Sequence, residues 1–258
     1  MTRNSPSSQP GRAGARARSI PLVLIALAFP ASSAWADVSD YVFIPYADSG
    51  VKRLDLLLAS DRNRNGTQER GEALGFGINP GADWFTELYA SWYKEPAEPT
   101  SFYAWTLVNH YQILRQGSSP LDMGAYLAVE RPRDRSEGYD ITFGPTWQFD
   151  SEHGQLNVNL QLEKSVATHA APPMALKYQW QFQCLWRPGV EIGLQGLGSP
   201  GPWNHWNAAG QQEHSLGPHM TVKWRAGAGT IKAEAALLFG LNSATARSQA
   251  RGRVQFEF

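Results

Sequence analysis

The chain has 258 residues, 12% of them aromatic, with 24 glycines, one cysteine, and 23 basic side chains balanced by 23 acidic ones. No apolar run reaches the roughly 18 residues that a membrane-spanning helix needs, so a helical span is excluded. A lone cysteine excludes a disulfide framework, and the lack of excess positive charge argues against a nucleic-acid partner.

Residues 1–36 read as a cleaved signal peptide. Arg3, Arg12, Arg16 and Arg18 come without an acid, Ile20 to Phe29 form a short apolar core, and Ala34-Trp35-Ala36 supplies the small residues of a cleavage site. Losing this leader removes four positive charges and leaves 19 basic against 23 acidic side chains, a mature charge of about −4 at neutral pH. Cys184 lies far from that site, so no lipid anchor is expected there. Residues 37–50 include Tyr41-Val42-Phe43-Ile44-Pro45-Tyr46 and leave three placements open: an extra strand, a lumen plug or a periplasmic strap.

From 51 to 258 the pattern has a period of two. Leu54, Leu56 and Leu58 share a face opposite Arg53 and Asp55, and Leu74, Phe76 and Ile78 repeat it before a turn at Pro80-Gly81. Segment 83–94 sets Trp84, Leu88 and Trp92 against Glu87, Tyr89, Ser91 and Tyr93. Segment 101–115 sets Tyr103, Trp105, Leu107, Tyr111 and Ile113 against Thr106, His110 and Gln112, with Asn109 out of place on the apolar face. Segments 121–131 and 139–149 alternate cleanly. So do 155–164, with Leu156 to Leu162 opposite Gln155, Asn157, Asn159 and Gln161, and 176–187, with Tyr178, Trp180 and Phe182 opposite Gln179, Gln181 and Gln183. Segments 190–198, 213–225, 230–241 and 247–258 make twelve.

Alternation alone fits a soluble sandwich as well as a barrel; the connectors and aromatics separate them. One set of turns, at 80–82, 116–120, 150–154, 187–189 and 225–229, is short. The other set, at 60–72, 95–100, 132–138, 165–175, 199–212 and 242–246, is longer, the wiring of a bacterial transmembrane barrel. Trp84, Tyr111, Trp147, Trp186 and Trp224 then fall at the lower rim, and Trp92, Tyr103, Tyr139, Tyr178 and Phe239 at the upper. The fold expected is all-β: a transmembrane antiparallel up-and-down barrel of about 12 strands over 51–258, after the leader and the segment 37–50.

In the last segment Val254, Phe256 and Phe258 share a face, which resembles the closing strand of bacterial outer-membrane barrels. That resemblance implies an assembly signal at Phe256 and Phe258, read by the barrel-assembly machinery. Asp83-Trp84-Phe85-Thr86-Glu87-Leu88, Glu130-Arg131-Pro132-Arg133-Asp134, Phe143-Gly144-Pro145, Tyr178-Gln179-Trp180, Leu216-Gly217-Pro218 and Ala236 to Leu241 resemble an uncharacterised, porin-like group of proteobacterial outer-membrane barrel proteins. The likeness spans most of 51–258 and implies architecture without an established activity.

Twelve strands about 4.7 Å apart and tilted about 40° enclose a cylinder of roughly 23 Å, so the bore is narrow. Its wall is expected to carry Asp55, Glu87, Asp122, Glu130, Asp140, Glu163, Glu191, Glu213 and Glu234 with Arg53, Lys177, Arg187, Lys223, Lys232, Arg251 and Arg253, joined by Arg225 and Glu257. Two readings stay open: a salt-bridge lattice that stiffens the wall, or a pore selecting small polar solutes. Asp61, Asn63, Asn65 and Glu72 match a calcium-loop spacing, yet Arg62, Arg64 and Arg70 cancel the charge and Asn65-Gly66 is a hairpin signal. Trp203-Asn204-His205-Trp206-Asn207 offers a saccharide or metal contact, or plain loop packing. Barrel lipases carry His-x-Ser, which none of the six histidines has, and adjacent His214-Ser215 point to opposite faces of a strand. The expectation is a non-enzymatic, narrow porin-like channel of the bacterial outer membrane. It needs no cofactor and meets membrane lipid, lipopolysaccharide and a small polar solute; a structural or ligand-binding barrel is the alternative.

Overall fold

The computed structural model describes residues 40–45, 50–114, 121–169 and 171–258; the expected leader, 1–36, lies outside them. Twelve antiparallel strands follow one another: β1 (Lys52–Arg62), β2 (Gln68–Gly81), β3 (Trp84–Lys94), β4 (Ser101–Gln112), β5 (Leu121–Pro132), β6 (Tyr139–Ser151), β7 (Gly154–Val166), β8 (Ala175–Arg187), β9 (Val190–Pro202), β10 (Glu213–Ala226), β11 (Gly229–Gly240) and β12 (Ser248–Glu257). Each pairs with its neighbours in sequence, and β1 pairs with β12 to close the barrel. Closure leaves no edge strand, so the ladders bond within the wall and expose no open edge to lipid.

The two faces of the wall are inverted relative to a soluble protein. Leu56, Leu74, Leu107 and Phe239 stand exposed on the outside, whereas Asp55, Glu87, Gln148 and Asn159 are each no more than 1% exposed inside. Such an apolar exterior over a polar interior is stable when the outside solvent is lipid. Trp84 and Tyr111 face each other across β3 and β4 at the lower rim, and Phe102 contacts both Trp92 and Trp105 at the upper. Asn109, the polar residue on the apolar face, accepts a hydrogen bond from Trp84 Nε1 at 3.0 Å and so is satisfied within the girdle.

Turns between β2 and β3, β6 and β7, β8 and β9, and β10 and β11 have two residues each, while the opposite end carries loops such as 133–138 and 203–212. The strands depart from the periodic reading in places. β1 and β2 run on as a hairpin to Arg62 and Gln68, so the connector there is 63–67 rather than 60–72. At the β3–β4 ladder the pairing slips between Ser91–Ala104 and Trp92–Phe102. Tyr103 is therefore an extra residue that packs edge-on against Tyr93, 4.7 Å between centroids, and Phe102 takes its place in the upper girdle.

The closing seam joins residues about two hundred apart in sequence. Arg53 stands opposite Glu257 and bonds it at 2.8 Å; Arg253 reaches diagonally to Asp55 at 2.5 Å, and Arg251 to Asp61. Three guanidinium–carboxylate pairs thus fix the register where loop-closure entropy opposes pairing most.

Candidate functional site: the barrel lumen

The lumen has two unlike sides, divided by residues 40–45. Of the three placements open for 37–50, this described part lies inside the barrel, with Tyr41, Val42 and Phe43 all buried. Its side chains alternate between the two sides. Phe43 meets Tyr126 at 4.2 Å and His110 at 5.1 Å between centroids, while Val42 and Ile44 look toward the other side. The Asn159 amide, turned so that its nitrogen meets the Phe43 carbonyl at 3.2 Å and its oxygen the Phe43 N–H at 2.8 Å, holds the segment to β7 as a strand neighbour would.

On the first side, formed by β1, β3, β4, β5 and β12, charges are fixed in pairs. Asp55 receives Arg253 through Nε and Nη2, and Tyr89 donates to it at 2.8 Å. The Arg253 guanidinium lies 4.2 Å over the Tyr41 ring, and the Tyr41 hydroxyl donates to Tyr89. Burial pushes the Tyr41 phenol up above its usual range, so it stays protonated. Arg53 spans Glu257 and Glu87, the latter at 3.5 Å, and His110 Nε2 approaches Glu87 at 3.6 Å. Gly75 makes room for this packing: a Cβ there would fall 2.4 Å from the Tyr89 ring.

On the second side, formed by β6, β7, β8, β10 and β11, neutral amides dominate. Gln181 Nε2 donates to Gln183 at 2.7 Å, and Gln183 and Asn157 both donate to Gln155. Below the segment they surround a cavity of about 220 Å³, lined also by Val42, Ile44, Gln148, Lys223, Lys232 and Glu234. Its lysines are matched: Lys223 bonds Glu191 at 3.0 Å, and Lys232 pairs with Glu234 two residues along β11. His219 sits in the wall nearby, buried, with neither ring nitrogen bonded among the described residues.

The other expected wall charges distribute as follows. Glu163 pairs with Lys177 at 2.7 Å, Glu130 accepts from Thr106, and Asp140 accepts from Ser165. Asp122 is buried on the lumen face of β5, and Glu213 is half-buried at the start of β10. Arg187 departs from expectation. The β8–β9 pairing slips between Leu185 and Arg187, leaving Arg187 exposed beside the turn with its guanidinium 5.0 Å over the outward Trp186 ring, so it belongs to the rim and not the lumen. Arg225 likewise ends exposed at the lower end of β10.

The calcium-loop spacing is not realised as a loop. Asp61 points inward to Arg251, whereas Glu72 stands on the outer face of β2 opposite Leu58, so the two end positions are on opposite sides of the wall. Asn63, Asn65 and Gly66 form the hairpin tip, closed by Asn63 N–H to Thr67 O at 2.9 Å, with Gly66 at φ +89°. Asp61 was therefore missed as a wall acid, although parity with Asp55 carries it there. Trp203 and Trp206 are exposed in the loop 203–212, and among the described residues no metal-binding cluster of His, Cys, Asp or Glu occurs. His214 faces outward, bonded to the Tyr178 hydroxyl at 2.7 Å, while Ser215 is buried inward, so the two do not form a nucleophile–base pair.

An apolar exterior, aromatic rims and a charged, amide-rich lumen define the class: a membrane-spanning β-barrel of the outer-membrane type. The sequence matches no protein-family model and no curated protein. In three dimensions the chain is similar to the COG4313 outer membrane channel from Pseudomonas putida F1, at 8% identity over 86% of this chain and 98% of that one, with a TM-score of 0.56. It is also similar to the KdgM porin in complex with disordered oligogalacturonate, at 11% identity over 80% of this chain and 98% of that one, with a TM-score of 0.52. Both likenesses are of fold, and the resemblance noted in the sequence holds at that level.

Proposed function

We propose that the protein is a narrow porin-like channel for small polar solutes. The observation that carries this reading is the amide-lined cavity of about 220 Å³ beside residues 40–45. A wall built only for stiffness has reason to pair its charges, as the β1–β12 seam does; a row of neutral donors and acceptors around open space can exchange partners with a passing solute. Residues 40–45 narrow the bore, and widening it means moving them. Outer-membrane lipid and lipopolysaccharide meet the apolar belt, and Phe256 and Phe258 serve the assembly machinery. No catalytic role is assigned to any residue, in keeping with neighbours that are channels.

A second reading, a structural or ligand-binding barrel without transport, is favoured by the ion-paired seam. Single-channel recording in planar bilayers separates the two. Discrete conductance steps are expected, altered in size by Glu87→Ala or Arg253→Ala; silence at high protein load leaves the second reading.

A further inference from the structure

We propose that the amide-lined side of the lumen binds an uncharged, hydroxyl-rich solute of monosaccharide size. This inference rests on the channel reading and adds the class of solute. The cavity volume of about 220 Å³ corresponds to on the order of seven waters at about 30 Å³ each, room for one small ring and not for a polymer coil.

Its electrostatics select against ions. Lys223 and Lys232 face each other directly across the β10–β11 ladder, a repulsive arrangement unless each is neutralised. Each is, by Glu191 and Glu234 respectively, so the four charges cancel. An anion would have to displace a carboxylate from a lysine, and a cation a lysine from a carboxylate; a neutral solute disturbs neither pair.

The remaining polar lining matches hydroxyls. A primary amide offers one acceptor and two donors, and an alcohol both donates and accepts, so amide rows suit polyols in either sense. Here the donors run one way, Gln181 to Gln183 to Gln155, with Asn157 also donating to Gln155. That leaves Asn157 Oδ1 buried and without a hydrogen bond among the described residues, in a side chain that lines the cavity and is 1% exposed. A buried acceptor of this kind calls for a donor, and a solute hydroxyl that displaces the amides covering it supplies one. Val42 and Ile44 form an apolar wall of the cavity, a surface suited to the C–H face of a sugar ring.

The test uses the full chain in detergent for isothermal titration and in planar bilayers for current block, with glucose, galacturonate and glucosamine at equal ionic strength. Glucose is expected to bind and to interrupt the current, with galacturonate and glucosamine at least tenfold weaker. Asn157→Leu and, separately, Gln181→Leu should each weaken glucose at least tenfold. Glu234→Gln, which leaves Lys232 unmatched, should turn the preference toward galacturonate. Conductance without glucose binding, or galacturonate bound more tightly than glucose by the natural chain, overturns the site and leaves the channel standing. Glucose binding without conductance supports the site and overturns the channel.

Discussion

The two sides of the lumen remove polar groups from bulk water by different means. Along β1, β3 and β12 the groups are ions, and each has a fixed partner: Asp55 with Arg253, Asp61 with Arg251, Arg53 between Glu87 and Glu257. Along β7 and β8 they are amides, bonded mostly to one another, beside open volume. A buried ion without its counter-ion is strongly destabilising, so the first side can tolerate one arrangement only. An amide that changes partner loses little, so the second side can admit a guest. Residues 40–45 pack their aromatic edge on the rigid side and their aliphatic edge on the adaptable one.

The sharpest break in this contrast is a charge deletion. Asp55→Ala should lower the unfolding free energy by roughly 3–5 kcal/mol, because it strands the buried Arg253 guanidinium; urea titration in lipid vesicles followed by tryptophan fluorescence measures it. Gln155→Ala on the other side should change it by no more than about 1.5 kcal/mol. Equal effects would dissolve the distinction. Replacing Arg253 with leucine in the Asp55→Ala background should recover part of the loss.

Next in size is the double change Tyr41→Ala with Phe43→Ala, which removes the ring contacts of the segment with Tyr126, His110 and Arg253. Single-channel conductance should rise at least twofold as the bore widens. Unchanged conductance would mean that the segment does not restrict the path. Gly75→Ala should destabilise by about 1–3 kcal/mol, the range for overpacking, since its new methyl meets the Tyr89 ring; a melting curve in detergent reads this.

The smallest effect belongs to the outer face. Asn109→Leu removes the 3.0 Å bond from Trp84 but adds apolar surface to a lipid-facing position. A net change below about 1 kcal/mol is expected, with conductance unaltered.

The exterior was legible because lipid imposes one rule on every strand: alternate side chains must be apolar. Leu54 to Leu58 and Leu156 to Leu162 obey it without exception, and the twelve strands follow. Where reading by period failed, a bulge or a long hairpin intervened. Tyr103 and Arg187 each sit where a ladder slips, and such slips answer to the partner strand's packing, which is remote in sequence. Asp61 was hidden by a motif that overrode the parity running through Asp55, Leu57 and Ala59.

The sequence by itself determined the barrel, its strand count, and the character of each face, since these are local consequences of a two-residue repeat meeting two solvents. Only the tertiary structure decided that Tyr41 and Phe43 lie within the lumen, which acid holds which arginine, and that the amides gather around a cavity. The reason is physical: these contacts join residues such as Asp55 and Arg253 that come together only when β12 closes on β1, and no local pattern encodes a partner chosen across the barrel.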